Sequence, residues 1–518
     1  MDLKKIFTLK NIIFLVILFL FLLLLRWNSF EMPFERDEGE YAYSAWILRQ
    51  GIMPYENSFL QKPPMIIYTY FLAQLMGGNS LWAPRLLAFI SVFLTALILG
   101  FVVFKKYNSN LGWMVSFLSV LTLSFPHFTA LAANTEIFMI LFLVASFGLY
   151  FYYRNKASFL IWFVSGIFSS LSILYKPIAF FPLFFLHLFW TYEIFKSKAG
   201  LKVVFKMFLG FLLGFLVSTF FILLPFLISG KIIYLLESAW QFNIYYSQVW
   251  NSYGLSGFYL QMGKLVRVWW ILFVFLLLFL FSKNKDKRLI FGLLLFSLVA
   301  TSRTTIGHYY LALMPFLSLA VSFALWDFYL LIRRSIKLSF WYIFLALLFF
   351  LIYPLRMQFG LTPDELGIWI YGLENPFNES KLVAQKVVEN SNYSDKIFVA
   401  GSEPQIYFYS QRLSPTRFII TYPLNIYSPK REIYQTEVVK DLSRNKPRII
   451  VYSNKETSGL WEKDSPKILL DYIKDLISKD YYLVGAVFWG NSGPVWVDKV
   501  AEDQLKQASL LLYRLKDE

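Results

Sequence analysis

Apolar runs of helix length recur along the first two thirds of the chain and restrict it to one kind of fold. About 20 apolar residues cross the hydrocarbon of a bilayer as an α-helix. In lipid a helix satisfies its own backbone hydrogen bonds, which an irregular chain cannot do. Runs near 11–28, 81–104, 111–131, 136–153, 158–175, 177–195, 207–229, 267–282, 289–303, 308–332 and 338–356 meet or approach this length. The expectation is a polytopic α-helical membrane protein with about eleven transmembrane helices. Composition agrees: 57% of residues are hydrophobic and only 16% charged, where soluble domains carry about 25% charged residues. A disordered protein, a coiled coil and an ordinary cytosolic enzyme are excluded. The absence of cysteine excludes disulfides, thiolate catalysis, zinc ribbons and iron–sulfur clusters.

The formal charge of +16 is unevenly spread. Residues from 358 onward hold 20 Lys/Arg and 21 Asp/Glu, leaving 29 basic and 12 acidic side chains before them. A basic excess confined to the apolar part argues for membrane topology and against nucleic-acid binding. The basic residues cluster at Lys4/Lys5/Lys10, Lys105/Lys106, Arg154/Lys156, Lys196/Lys198/Lys202/Lys206, Lys283/Lys285/Lys287/Arg288 and Arg333/Arg334/Lys337. These clusters precede the first run and then occupy every second gap. The positive-inside rule puts them all in the cytoplasm. The N-terminus is then cytoplasmic, the first run is an uncleaved span, and an odd count leaves the C-terminal part outside. The predicted division is a transmembrane domain over 1–356, with a long first outer loop at 29–80, and an extracytoplasmic α/β domain over 357–518. In the latter, strand-like runs at 396–401, 417–422, 448–452, 481–488 and 510–515 alternate with helix-like runs at 381–389, 431–442 and 467–478. That pattern suggests a partly parallel sheet.

Six of the twelve early acids lie in the first outer loop: Glu31, Glu35, Asp37, Glu38, Glu40 and Glu56. A solvated loop would explain them. However, the segment 34–43 follows the first span closely, and apolar helix-like sequence follows it in turn. Carboxylates held between apolar surfaces have shifted pKa values and can act as bases. Lys62-Pro63-Pro64 is next in the loop, and there the prolines open a helix while the lysine is placed to meet a lipid phosphate. Glu136 follows Asn134-Thr135, which by themselves read as a helix cap with an acid complementing the dipole. Lys176 lies between two apolar spans, where snorkelling to the interface is the simplest account. Arg303 and His308 form a further outer cationic group. No spacing of His127, His187 and His308 supports a firm metal site.

The ordered set Asp37-Glu38, Tyr41-Ala42, Gln61-Lys62-Pro63-Pro64 and Pro84-Arg85-Leu86 resembles the C-type membrane glycosyltransferases. More closely it resembles the bacterial branch of the protein O-mannosyltransferase family, which includes the lipid A aminoarabinose transferases and the RgtA-like enzymes. Asn134-Thr135-Glu136, Lys176 and His308-Tyr309-Tyr310 are similar to later family segments, so the likeness covers about residues 30–320. It implies a C-type glycosyltransferase fold and an inverting transfer of a sugar from a polyprenyl-phosphate donor to a lipid, glycan or protein hydroxyl. The reaction would occur on the outer face of a membrane, such as the bacterial inner membrane. Asp37 would be the base, Glu38 its support, and Glu136 a second acid. Lys62, Arg303, His308 and Lys176 would hold the donor phosphate, with Tyr41, Arg85, Tyr309 and Tyr310 lining the substrate. A divalent metal is compatible with the family. Where the aminoarabinose transferases tend to have Glu before Lys-Pro-Pro, this chain has Gln61, and Glu136 replaces the more frequent Asp. A flippase of lipid-linked sugar is the alternative, but it calls for inverted repeats and midplane charges. A sensor or scaffold would have no need of the first-loop acids.

Overall fold

The computed structural model describes residues 8–154, 156–198, 200–251, 254–333, 335, 339–459, 464–491 and 493–517. Lys4, Lys5, Arg334 and Lys337 of the basic clusters lie outside the described residues. Every apolar run forms a helix. Among the described residues, eight helical segments are long and apolar enough to cross a membrane: Leu9–Ser29, Trp82–Lys106, Thr135–Tyr153, Pro177–Lys196, Leu201–Ile228, Ser256–Phe279, Gly307–Ile332 and Phe340–Phe359. The protein is therefore an integral membrane protein. The other three runs give the shorter helices Ser109–Thr122, Phe159–Tyr175 and Lys287–Thr301. The run at 111–131 is cut short because Pro126 opens a 3₁₀ turn and Thr129 adopts a φ of 52°. The apolar sequence continues there while the helix does not.

The chain divides into two compact units. The first comprises residues 1–30, 85–222 and 250–361 and is the helical bundle. One end of the bundle joins Glu136, Lys176 and His308, and the other joins Lys106, Arg154 and Asp286. Arg26 is buried in the bundle and donates to the carbonyls of Ala130 at 2.8 Å and Leu131 at 3.1 Å. Buried charge is tolerated when such acceptors satisfy it.

The second unit comprises residues 31–84, 223–249 and 362–518. Its sheet has the order β1-β2-β5-β3-β4, with β1 Ile397–Ala400, β2 Ile449–Ser453, β3 Tyr481–Gly490, β4 Gly493–Val497 and β5 Leu510–Leu515. Only β1 and β2 run parallel, paired from Ile397 opposite Ile449. The remaining pairs are antiparallel. The helices Phe377–Glu389, Arg431–Arg444 and Ile468–Asp480 match the predicted helical runs. The predicted strand at 417–422 does not form. Phe418 instead stacks on Phe59 with centroids 5.1 Å apart, and the Arg417 carbonyl accepts from the Phe59 amide at 2.6 Å. Its apolar residues serve a core shared with the first loop, so none is left for a sheet edge. Phe242 of residues 223–249 enters the same core, with Val438, Ile450 and Ile473. The strand β4 was not predicted. It pairs only with β3, and it carries Pro494, which cannot donate to a ladder and suits an edge strand.

Candidate functional site

In the second unit the acidic segment is a helix start. Glu35 is the N-cap of helix Arg36–Arg49, accepting from the amides of Asp37 at 3.1 Å and Glu38 at 3.3 Å. Glu38 closes the capping box by accepting from the Glu35 amide at 3.4 Å. Such reciprocal bonds satisfy donors that the first turn leaves orphaned, and acids complement the positive helix end. Glu38 is thus engaged in holding the helix start. Arg36 donates to the Ser402 carbonyl at 2.6 Å and pairs with buried Glu403 at 3.5 Å. Gly39 lets the helix pass close to helix Gln405–Ser410, since a Cβ there would stand 2.6 Å from the Gln405 amide nitrogen.

Asp37 points to Lys62, with its carboxylate 3.6 Å from the ammonium. The Asp37 side chain is 16% exposed and that of Lys62 7%. The Lys62 backbone is held on both sides. Tyr55 donates to the Lys62 carbonyl at 2.8 Å, and the Asn243 amide donates to the Gln61 carbonyl at 2.6 Å. Pro64 then precedes helix Met65–Gly77, so the predicted helix opening after Lys-Pro-Pro is present. The Gln61 side chain is buried, and neither of its polar atoms has a hydrogen-bond partner among the described residues.

One turn beyond Asp37, Glu40 is fully buried and accepts from the Tyr422 hydroxyl at 3.2 Å. Its other oxygen has no hydrogen-bond partner among the described residues. Burial and the nearby Asp37 raise its pKa to about 8, against the opposing pull of Lys62. Burial likewise holds Glu35 and Glu403 above the usual carboxylate range. Tyr41 is buried and packs edge-on to Tyr70.

The bundle unit carries a second acid–cation group. Glu136 lies in the first turn of helix Thr135–Tyr153, but Asn134 makes no side-chain cap. Both polar atoms of the buried Asn134 side chain lack a hydrogen-bond partner among the described residues. Thr135 donates to Glu136 at 3.0 Å instead of capping the helix. Lys176 forms a direct, short ion pair with Glu136, and its ammonium lies 3.4 Å from the centroid of the Tyr309 ring. The side chains are 0% exposed for Glu136 and 4% for Lys176, so Lys176 does not snorkel. His308 Nε2 is 3.8 Å from Glu136, while its Nδ1 meets the Thr129 hydroxyl at 3.3 Å. Sequence spacing alone could not have joined these residues, which come from three separate helix ends. Arg303 is exposed. Tyr310 is buried and donates to the Thr304 carbonyl at 3.3 Å. Arg85 is buried and donates to the Ser29 carbonyl at 2.7 Å. Each predicted site residue is thereby placed within its own unit. Glu40, Tyr422 and Asn243 were not among them, and only for Glu40 was there a signal, its place one turn beyond Asp37.

Among the described residues no three His, Asp or Glu side chains gather as metal ligands. Glu136 and His308 stand 3.8 Å apart, but Glu136 is already paired with Lys176. These residues do not fit a metal centre.

No family model and no curated protein matches the chain in sequence. Solved structures do match it in fold. ArnT from Cupriavidus metallidurans bound to undecaprenyl phosphate aligns with a TM-score of 0.58 at 14% identity, covering 95% of this chain and 98% of that one. The Archaeoglobus fulgidus oligosaccharyltransferase tethered to an acceptor peptide aligns with a TM-score of 0.54 at 12% identity, covering 96% and 74%. The chain shares its fold with these two solved structures. At such identities the likeness concerns the fold alone.

Proposed function

We propose that the chain is a membrane glycosyltransferase that moves a sugar from a polyprenyl-phosphate donor to a hydroxyl acceptor on the extracytoplasmic face. The observation that carries this reading is Asp37, partly exposed at a helix start and 3.6 Å from a lysine whose backbone is held on both sides. In the proposed step the acceptor oxygen attacks the anomeric carbon and gives its proton to Asp37. The bond to the phosphate oxygen breaks, and polyprenyl phosphate departs with the electron pair, which inverts the anomeric centre. The leaving group is already an anion, so a fixed cation helps more than a proton donor would. Lys62 is that cation. Support for a polyprenyl donor comes from the fold shared with ArnT, whose structure holds undecaprenyl phosphate. Gln61-Lys62-Pro63-Pro64 favours the O-mannosyltransferase and aminoarabinose-transferase branch.

In the bundle unit we assign Glu136 to fixing Lys176 against Tyr309, with His308 and the exposed Arg303 as further cations for the donor phosphate. The proposed orientation has the N-terminus in the cytoplasm and residues 357–518 outside, in a plasma membrane. The joining of Lys106, Arg154 and Asp286 at one bundle end supports it, because these come from three gaps read as cytoplasmic.

The test is turnover of purified protein with a polyprenyl-phosphate sugar and a panel of lipid, glycan and peptide acceptors. Release of polyprenyl phosphate by wild type and its loss in Asp37→Asn is the expected result. Full release by that variant would remove Asp37 as the base, and no release by wild type with any acceptor would end the reading.

A further inference from the structure

The bundle end remote from Glu136 carries an open cavity of about 460 Å³. It lies where helices Trp82–Lys106 and Thr135–Tyr153 finish and just before Lys287–Thr301 begins. Five cations line it: Lys105, Lys106, Arg154, Lys156 and Lys285. Two acids stand beside them: the buried Asp286, which pairs with Lys106 at 2.7 Å and accepts from Arg154 at 2.7 Å, and Glu193, which pairs with Arg154 at 3.9 Å. Tyr107 also donates to Asp286, which leaves that carboxylate fully engaged. Lys105, Lys156 and Lys285 have no ion-pair partner among the described residues; Lys105 and Lys156 lie near the rings of Phe101 and Tyr153. Helix dipoles favour cations at a C-terminus, which explains Lys105 and Lys106. They disfavour Lys285, which precedes a helix N-terminus. Membrane topology asks for cations in a loop but not for three segments to gather them around one space.

The walls change character along the cavity. Val102, four residues before its helix end, and Phe151, two residues before its own, supply apolar surface, with the Lys106 ammonium 3.9 Å from the Phe151 ring centroid; the other cations stand at or beyond the helix ends. Polar end and apolar wall together match an amphiphile with an anionic head at the level where headgroups lie. Basic pockets at the ends of spanning helices hold phosphate-bearing lipid heads by the same physics. We propose that this cavity binds the phosphate headgroup of an anionic phospholipid, with an acyl chain against Val102 and Phe151. The proposal requires only that the chain is embedded in a membrane and is independent of the glycosyl-transfer reading.

Native mass spectrometry of the full-length protein in detergent, titrated with phosphatidylglycerol, phosphatidylcholine or inorganic phosphate, tests it. Phosphatidylglycerol should bind at least about tenfold more tightly than either other probe, given three lysines without acid partners. The triple variant Lys105→Gln/Lys156→Gln/Lys285→Gln should lose about tenfold of that affinity. Those side chains are exposed, so its melting temperature should match wild type. A control triple, Lys198→Gln/Lys202→Gln/Lys206→Gln, removes the same charge elsewhere and should bind as wild type. Equal binding of the two lipids, or equal loss in both triples, would overturn the proposal. Inorganic phosphate binding as tightly as the lipid would transfer the site to a soluble phosphate and overturn the lipid assignment.

Discussion

Two lysine–carboxylate pairs, each with its acid in the first turn of a helix, are built differently. Glu136 and Lys176 in the bundle unit are in direct contact and almost wholly buried, and the ammonium is further held by the Tyr309 ring. Asp37 and Lys62 in the second unit stand 3.6 Å apart, and the acid is partly exposed. Desolvating a charge pair is costly, and only close geometry with extra partners offsets it. Glu136 and Lys176 have those partners in Thr135, His308 and Tyr309. Asp37 and Lys62 keep a gap and some access to solvent. A closed pair suits holding structure, whereas an open one suits receiving a substrate.

The contrast can be broken most sharply at Asp37. Asp37→Asn should reduce sugar transfer by about 10²–10⁴-fold, the range for loss of a positioned base, and leave the melting temperature within a degree or two of wild type. A large drop in melting temperature would show that this pair also holds structure. Next in size, Lys176→Met should destabilise the protein by about 3–5 kcal/mol, because Glu136 would stay buried without its ammonium partner. Thermal unfolding measured alongside the double variant Lys176→Met/Glu136→Gln checks this, and the double variant should recover much of the loss.

A smaller effect concerns Glu40. An unfolded glutamate titrates near about 4.3, and the folded one near 8. The folded state therefore binds the proton more tightly. The stability this contributes is fully present below about pH 4.3 and is lost as pH rises through 8. Glu40→Gln imitates the protonated form, so stability against denaturant should lose its decline between pH 5 and 8. An unchanged slope would disprove the raised pKa. The smallest effect is expected at Glu38. Glu38→Ala removes half of a capping box and should cost about 1 kcal/mol. Transfer by this variant should stay well above that of Asp37→Asn; equal loss would return Glu38 to the chemistry.

Much of the fold is legible in residue order. Each of the eleven apolar runs became a helix because burial in lipid leaves a long apolar chain no other backbone solution. Four of five strands and three helices of the C-terminal part also followed from local pattern. The failures share a cause. The segment at 417–422 has strand composition, yet Phe418 and the Arg417 carbonyl are taken by Phe59, more than 350 residues earlier. The strand β4 is five residues long and opens with Gly493-Pro494, so its short apolar run Val495–Val497 becomes a strand only through its partner β3. Asn134 looked like a helix cap, but its side chain makes no capping bond.

Helix positions, the acid-rich helix start and the lysine before two prolines could be stated from the sequence by itself, since each depends on neighbours within a few turns. Which acid meets which lysine could not. Lys176 is 40 residues from Glu136, Asn243 is 182 from Gln61, and Tyr422 is 382 from Glu40. Such encounters depend on how whole helices and loops pack, because closing a long loop costs little more than closing a short one. Local sequence therefore carries almost no information about the partner.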